Sequence, residues 1–111
     1  MPFNPKHEAA LRVRVMLDSI IARHGRPDII PLSDYADEAT FNFLLPNAGW
    51  TFCQWHAVNQ EVGRQLQARG YRVTFVKLEL NEYFDFLTAR YLTNTPENRA
   101  QFTAWKAYLC S

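Results

Sequence analysis

The spacing of hydrophobic residues changes twice in the second half of the chain. Apolar residues recur at helical spacing up to Gly70, alternate with polar residues over the next segment, and then return to helical spacing. This pattern predicts a helix over 51–69 with Thr51 as its cap, a strand over 71–80, and a further helix capped by Asn81. The apolar stripe of the first of these helices consists of Phe52, Trp55, Val58, Val62 and Leu66.

The predicted strand 71–80 changes its apolar face halfway along. Tyr71, Val73 and Phe75 point one way, and Val76, Leu78 and Leu80 point the other. Either a bulge lies at the change or the strand is central and covered differently at its two ends. A lone strand leaves its backbone groups unpaired, so this segment requires a second strand, from this chain or from another copy.

A helix is predicted over 5–24, between the cap Asn4 and the terminating Gly25. Its main apolar stripe comprises Ala10, Val13, Leu17, Ile20, Ile21 and His24, and a narrower stripe of Leu11, Val15 and Ala22 lies on the far side. A helix that is apolar on two sides is usually covered twice. The second cover is another helix of the chain or a partner subunit.

The segment between the first and third helices gives weaker signals. Two prolines limit 28–32 to a short edge strand at most. Ser33 is predicted to cap a second helix, with acidic residues in its early turns, that ends near Leu45. The tail of that helix, 41–45, also alternates enough to form a strand instead.

The start of the last helix is marked by Thr95, Pro96 and Glu97. Together these elements predict an α+β fold that is predominantly helical, with about five helices packed mainly on one face of a small sheet centred on 71–80. A chain of 111 residues and 13.0 kDa suits one domain, 1–111. A homodimer is expected, because the second stripe of the first helix and the unpaired strand both call for a partner.

Composition excludes several classes of protein. Apolar residues form 48% of the chain and aromatic residues 14%, enough to offset the ordering entropy of a folded core. No apolar run is long enough to span a bilayer or resembles a secretory signal, so we expect a cytoplasmic protein without membrane contact. Cys53 and Cys110 are expected to be free, buried thiols.

The distribution of charge argues against nucleic-acid binding. The net charge is +1, and no Lys or Arg occurs from 28 to 62. Helices one to three followed by a strand would fit a winged helix-turn-helix, with 51–69 as the recognition helix. However, Arg64 and Arg69 are the only Lys or Arg residues of that helix and lie in its last turns, so no basic surface for phosphate is visible. A DNA-associated, winged-helix-like regulator is therefore a less favoured alternative.

The flank of helix 51–69 beside its apolar stripe carries the most suggestive chemistry. It is polar but uncharged apart from possible protonation of the imidazole. Such groups could orient a small ligand or a partner's backbone, and a glycine there would let another chain come close. The candidate binding residues on this flank and in the preceding loop are Trp50, Cys53, His56, Asn59, Gln60 and Gly63. The alternative is a solvated flank without a function.

Two residue pairs raise the alternative of a small enzyme. Cys53 and His56 are three residues apart on a helix, as a thiolate–imidazole pair requires. Glu79 and Glu82 bracket a strand-to-helix joint, although acidic residues are favoured there for electrostatic reasons alone. The pattern implies no metal and no cofactor. A non-catalytic binding or protein-interaction module, with a small molecule or a protein as its partner, is the favoured interpretation.

Overall fold

The computed structural model describes residues 5–24 and 29–109. Within them, five helices and two strands form a predominantly helical α+β fold, which confirms the predicted class. The elements are α1 (Pro5–His24), β1 (Ile30–Tyr35), α2 (Glu38–Leu44), α3 (Phe52–Ala68), β2 (Val73–Leu78), α4 (Leu80–Arg90) and α5 (Pro96–Leu109). The predicted bounds of α1 are confirmed, whereas its predicted cap Asn4 and terminator Gly25 lie outside the described residues.

The two strands pair in parallel and form the sheet. Their register runs without interruption from Ile30 opposite Val73 to Tyr35 opposite Leu78. The partner of the predicted strand 71–80 is therefore a strand of the same chain, and the change of apolar face involves no bulge. The strand is shorter than predicted, and it lies at the edge of a two-stranded sheet rather than at its centre.

The start of α2 differs from the prediction. Ser33 lies inside β1, opposite Val76, and does not cap a helix. Asp37 is the cap instead, because its Oδ1 accepts a hydrogen bond from the Thr40 N–H at 2.8 Å. Pairing with β2 keeps this part of the chain extended for longer than the local cap signal indicates. The helix then includes residues 41–44, so the alternative strand over 41–45 is not formed.

Both ends of α3 are formed by its own neighbouring residues. Thr51 and Gln54 make a reciprocal capping box, in which each side chain accepts from the other residue's backbone N–H. At the other end Gly70 adopts φ +89°, and its N–H donates to Gln67 O at 3.0 Å. The next N–H, of Tyr71, donates to Leu66 O at 3.0 Å, which completes a Schellman motif.

The helices that follow β2 begin near their predicted positions. The cap of α4 is Glu79, which makes no side-chain capping bond, and the predicted cap Asn81 lies inside the helix. Leu80 packs against the apolar core, and this tertiary contact accounts for the earlier start. Pro96 is the first residue of α5, as predicted, and Thr95 Oγ1 accepts from the Asn98 N–H at 3.1 Å.

The core consists of two clusters that lie mainly on opposite faces of the sheet. The aliphatic cluster joins α1 and α3 to the sheet and contains Val13, Leu17, Ile20, Ile30, Leu32, Val58, Val62 and Leu66. The aromatic cluster joins α2, α4, α5 and the first turns of α3 to the ends of the strands and contains Tyr35, Phe41, Leu44, Trp55, Leu78, Tyr83, Phe86, Leu87 and Phe102. Helices therefore cover both faces, and the prediction of helices mainly on one face was wrong, because alternate residues of each strand are apolar on opposite sides.

The sequence predicts no membrane-spanning helix and buried thiols at Cys53 and Cys110. Among residues 5–24 and 29–109, no helix combines the length and apolarity that crossing a bilayer requires. Cys53 is exposed rather than buried, since the first turn of α3 presents it to solvent, and Cys110 lies outside the described residues.

Candidate functional site

The six residues predicted as a binding surface do not converge on one site. Asn59 and Gly63 are buried against the sheet, Trp50 is half-buried in the loop before α3, and Cys53, His56 and Gln60 are exposed. The exposed three form a row along the solvent side of α3. This row stays a predicted contact surface, but none of its members lines any of the three grooves described below.

Gly63 is needed for contact within the chain. A Cβ atom at this position would lie 2.5 Å from Cζ of Phe75, which is far closer than side chains tolerate. The close neighbour that the glycine admits is therefore β2 of the same chain. No second molecule is required to explain a glycine in the middle of α3.

Asn59 contacts the backbone of β1. It is 3% exposed, and its Nδ2 donates to Ser33 O at 2.9 Å. Asn59 also lines a groove of about 540 Å³ that runs beside β1, which we call the edge groove. Its walls come from α1 (Met16, Ile20, Arg23), α3 (Trp55, Asn59) and α5 (Glu97, Ala100, Gln101, Ala104).

Trp50 forms a wall of a second groove, the Trp50 cleft, which lies between α1 and α3 and measures about 500 Å³. Short side chains on the facing helices leave this space open. The apolar lining comprises Ala9, Ala10, Val13, Trp50, Ala57 and Val58. A concave, mostly apolar cleft of this size is typical of small-molecule sites.

The rim of the Trp50 cleft is polar, and its charges are paired. The Arg12 guanidinium lies 4.2 Å from the centre of the Trp50 ring, and its Nε donates to Glu8 Oε1 at 3.1 Å. Glu61 forms an ion pair with Arg64. Hydrogen bonds from Arg64 and then from Gln65 lower the pKa of Glu61 to about 2, so this carboxylate is ionised at neutral pH. Because each acid has a basic neighbour, the rim favours an uncharged ligand over an ion.

Gln54 supplies a directed polar group at this rim. Its Oε1 accepts from the Thr51 N–H at 2.9 Å as part of the capping box. That bond fixes the orientation of the amide and leaves its NH₂ group as a donor beside the cleft. The same residue pair that begins α3 therefore positions a hydrogen-bond donor for a bound molecule.

The residue pairs considered for catalysis are not arranged as reactive pairs. No hydrogen bond joins Cys53 to His56 among the bonds of residues 29–109, and His56 Nδ1 lies 3.9 Å from Asp34 Oδ1. Glu82 forms an ion pair with Lys106 of α5, whose Nζ also donates to Lys77 O at 2.8 Å. In the part of the chain that the structure describes, no three His, Cys, Asp or Glu residues are grouped as metal ligands.

Sequence reasoning missed the lining of the Trp50 cleft on its α1 side. Glu8, Ala9 and Arg12 lie before or beside the main apolar stripe of α1, of which Ala10 is the first member. The predicted flank of α3 is the side that faces away from them. A signal was present in the alanines of α1 and α3, because two facing helices that carry small residues leave a gap between them. No family model matches this chain, and a search of curated proteins finds no significant relative.

Proposed function

We propose that this protein is a non-catalytic binding module and that the Trp50 cleft receives a small, uncharged, largely apolar molecule. The observation that carries the proposal is the cleft itself, about 500 Å³ of open space between α1 and α3 beside an aromatic wall. Burial of apolar ligand surface there contributes about 25 cal/mol of favourable binding free energy per Å². The Gln54 NH₂ group gives the ligand's orientation through one hydrogen bond.

Coumarin is a suitable probe, since it is neutral, aromatic and carries a carbonyl acceptor for Gln54. We expect a titration followed by ¹H–¹⁵N correlation spectra to shift the backbone signals of Ala57 and Val58 and the side-chain amide of Gln54. Ala57→Phe fills the cleft from an exposed position on α3 and therefore excludes the ligand. It should raise the Kd for coumarin at least tenfold, which corresponds to a loss of about 1.4 kcal/mol of binding free energy.

Ala68→Phe is the matched control, because Ala68 is an exposed alanine of the same helix that does not line the cleft. It should leave coumarin binding unchanged. Equal binding by the two variants, or shifts that cluster away from the cleft, would show that this space is not a binding site.

A homodimer is proposed as well, through the outer stripe of α1. Leu11 is 50% exposed and Val15 is 60% exposed, and a groove of about 400 Å³ separates them from Trp50 and Ala48. The other reason for expecting a dimer no longer applies, since β1 supplies the partner that β2 requires. Sedimentation at micromolar concentration should give twice 13.0 kDa for the native chain and 13.0 kDa for Val15→Arg. A native chain that sediments at the smaller mass contradicts the dimer.

We also propose a cytoplasmic location. The exposed free thiol of Cys53 supports it, because reducing compartments keep such thiols unoxidised. Labelling of intact and lysed cells with a membrane-impermeant thiol reagent would test the location, and labelling of Cys53 in intact cells would contradict it.

A further inference from the structure

The floor of the edge groove contains a hydrogen-bond acceptor without a partner. Asn59 is buried, and its Nδ2 donates to Ser33 O at 2.9 Å, which fixes the orientation of the amide. Its Oδ1 accepts no hydrogen bond from residues 5–24 or 29–109. Within the same residues, no side-chain oxygen that is closed off from solvent lacks a partner, so Asn59 Oδ1 opens onto free space. That space is the edge groove, since Asn59 lines neither of the other two grooves.

A second acceptor follows from a count of hydroxyl protons. Thr103 Oγ1 donates its one proton to Arg99 O at 2.9 Å. The 2.6 Å bond between Ser33 Oγ and Thr103 Oγ1 must therefore use the proton of Ser33. Ser33 Oγ then has no proton to offer to a ligand, but it retains lone pairs that can accept. Ser33 and Asn59 both line the groove, so these two side chains together favour a ligand that donates hydrogen bonds.

The charged residues of the edge groove differ from those of the Trp50 cleft. Arg23 of α1 and Glu97 of α5 both line the edge groove, and both are exposed. Neither forms an ion pair within residues 5–24 and 29–109, whereas the charges at the rim of the Trp50 cleft are paired. One unpaired charge of each sign favours a molecule that itself carries both signs.

The rest of the lining is largely apolar. Met16 and Ile20 line the groove from α1, and Ala100 and Ala104 line it from α5. Trp55 of α3 adds an aromatic ring, which can also attract a cation. A volume of about 540 Å³ is in the range of small-molecule sites. The groove therefore has room for an apolar group beside its two acceptors.

We propose that the edge groove binds a free α-amino acid with an apolar side chain. The ammonium group donates to Asn59 Oδ1 and Ser33 Oγ and is attracted by the Glu97 carboxylate. The ligand's carboxylate meets Arg23, and its side chain packs between α1 and α5. This site is separate from the small-molecule site in the Trp50 cleft, because the two share no lining residue.

Three ligands with one aliphatic skeleton test this recognition. Leucine carries both charges, isoamylamine lacks the carboxylate, and isocaproate lacks the ammonium group. We expect leucine to bind most tightly and to shift the side-chain amide signals of Asn59 in ¹H–¹⁵N correlation spectra. Loss of the ammonium group should weaken binding at least tenfold, because its hydrogen bonds are charge-assisted. Loss of the carboxylate should weaken binding about two- to fivefold, because it meets one exposed charge.

Each ligand also has a result that contradicts the proposal. Equal binding by isocaproate and leucine would overturn recognition of an ammonium group. Equal binding by isoamylamine and leucine would overturn the contact between Arg23 and a carboxylate. A native chain whose spectrum does not change with millimolar leucine would overturn the proposal as a whole.

Substitutions of the exposed charged residues assign the two ends of the ligand. Arg23→Gln should weaken leucine binding about two- to fivefold without weakening isoamylamine binding, because the amine has no carboxylate. Glu97→Gln should weaken the binding of both ligands, since both carry an ammonium group. Arg14→Gln and Asp85→Asn are the matched controls, because both residues are exposed and lie outside the groove. If Arg23→Gln changes the affinities of the two ligands alike, the position assigned to the carboxylate is wrong.

A second pair of variants locates the site. Ala100→Trp places a bulky ring in the groove from an exposed position of α5, and Ala89→Trp places the same ring on an exposed position of α4 outside it. The first should weaken leucine binding at least tenfold, and the second should not change it. Equal binding by the two variants would overturn the edge groove as the leucine site. Coumarin binding is unaffected by Ala100→Trp, because the Trp50 cleft does not include Ala100, so the two sites succeed or fail independently.

Discussion

The two clusters of the core differ in how much polar chemistry they contain. The aliphatic cluster packs saturated side chains between α1, α3 and the sheet without a hydroxyl or amide among its members. The aromatic cluster includes Tyr35, Trp55 and Tyr83, whose polar atoms must find partners when they are buried. Packing alone is therefore sufficient for the first cluster, whereas the second also depends on specific hydrogen bonds.

Those hydrogen bonds connect distant parts of the chain. Tyr83 Oη donates to Asn94 Oδ1 at 2.9 Å, and Asn94 Nδ2 donates to Leu44 O at 3.0 Å. Arg99 Nη1 also donates to Asn94 Oδ1, at 2.7 Å. Asn94 thus ties α2, α4 and α5 together at the side of the aromatic cluster. The comparison predicts that the two clusters respond differently to cavities, to added volume and to alkaline pH.

The largest expected effect is a cavity at the centre of either cluster. Phe102→Ala should destabilise the fold by about 3–5 kcal/mol and Leu66→Ala by about 2–5 kcal/mol, since both side chains are fully buried. Phe102 makes edge-to-face contacts with Tyr83 and Phe86 at 5.4 and 5.3 Å between ring centres. Loss of these contacts increases the destabilisation expected for Phe102→Ala. Urea denaturation measures both changes, and Phe102→Leu provides a milder variant if Phe102→Ala does not fold. A larger loss for Leu66→Ala would contradict this ranking.

An intermediate effect is expected at the contact between Gly63 and Phe75 in the aliphatic cluster. In a helix interior, alanine stabilises the fold by about 1 kcal/mol relative to glycine. Overpacking of the core by the added methyl group costs about 1–3 kcal/mol of stability. Gly63→Ala should therefore destabilise the fold, whereas the same change in a Phe75→Leu background should stabilise it, because the ring that a Cβ would meet is absent. A double-mutant cycle in urea measures the coupling. Additive changes would show that Phe75 is not the obstacle.

The smallest effect is expected at alkaline pH and belongs to the aromatic cluster. Burial raises the pKa of Tyr83 to about 12, above the value of 10.0 expected for an unfolded chain. The protonated phenol is therefore favoured in the folded state. Its contribution to stability is complete below pH 10 and is lost as the pH rises to about 12. Burial also raises the pKa of Tyr35, which acts in the same direction.

Urea midpoints measured from pH 8 to pH 11 test this dependence. Tyr83→Phe should flatten the loss above pH 10 and should cost about 1 kcal/mol at neutral pH, the value of one hydrogen bond. Tyr91→Phe is the control, since Tyr91 is 97% exposed. If the two variants lose stability equally as the pH rises, Tyr83 is not the titrating group.

Several elements could be predicted from the sequence because their signals are local. The stripe and both ends of α3 are specified within 51–71, where the capping box and the glycine turn involve residues at most five positions apart. Trp50 was predicted at a binding surface and does line a cleft. By contrast, the sequence predicts Asn59 and Gly63 on the same polar binding flank as Cys53, His56 and Gln60, but the sheet lies against them. Helical projection places residues around an axis but does not reveal how wide the buried sector is.

The sequence by itself determined the helical periods, most of the helix ends and the mixed α and β class, because each depends on side chains within a turn or two of one another. Only the tertiary structure decided that β1 reaches Tyr35, that it pairs in parallel with β2, and where the two grooves lie. Asn59 and Ser33, which share a hydrogen bond, are 26 positions apart in the sequence. Ser33 and Thr103, whose hydroxyl groups are hydrogen-bonded to each other, are 70 positions apart. Contacts between residues so far apart in the sequence form only when whole elements pack together. No local sequence pattern around these residues therefore predicts them.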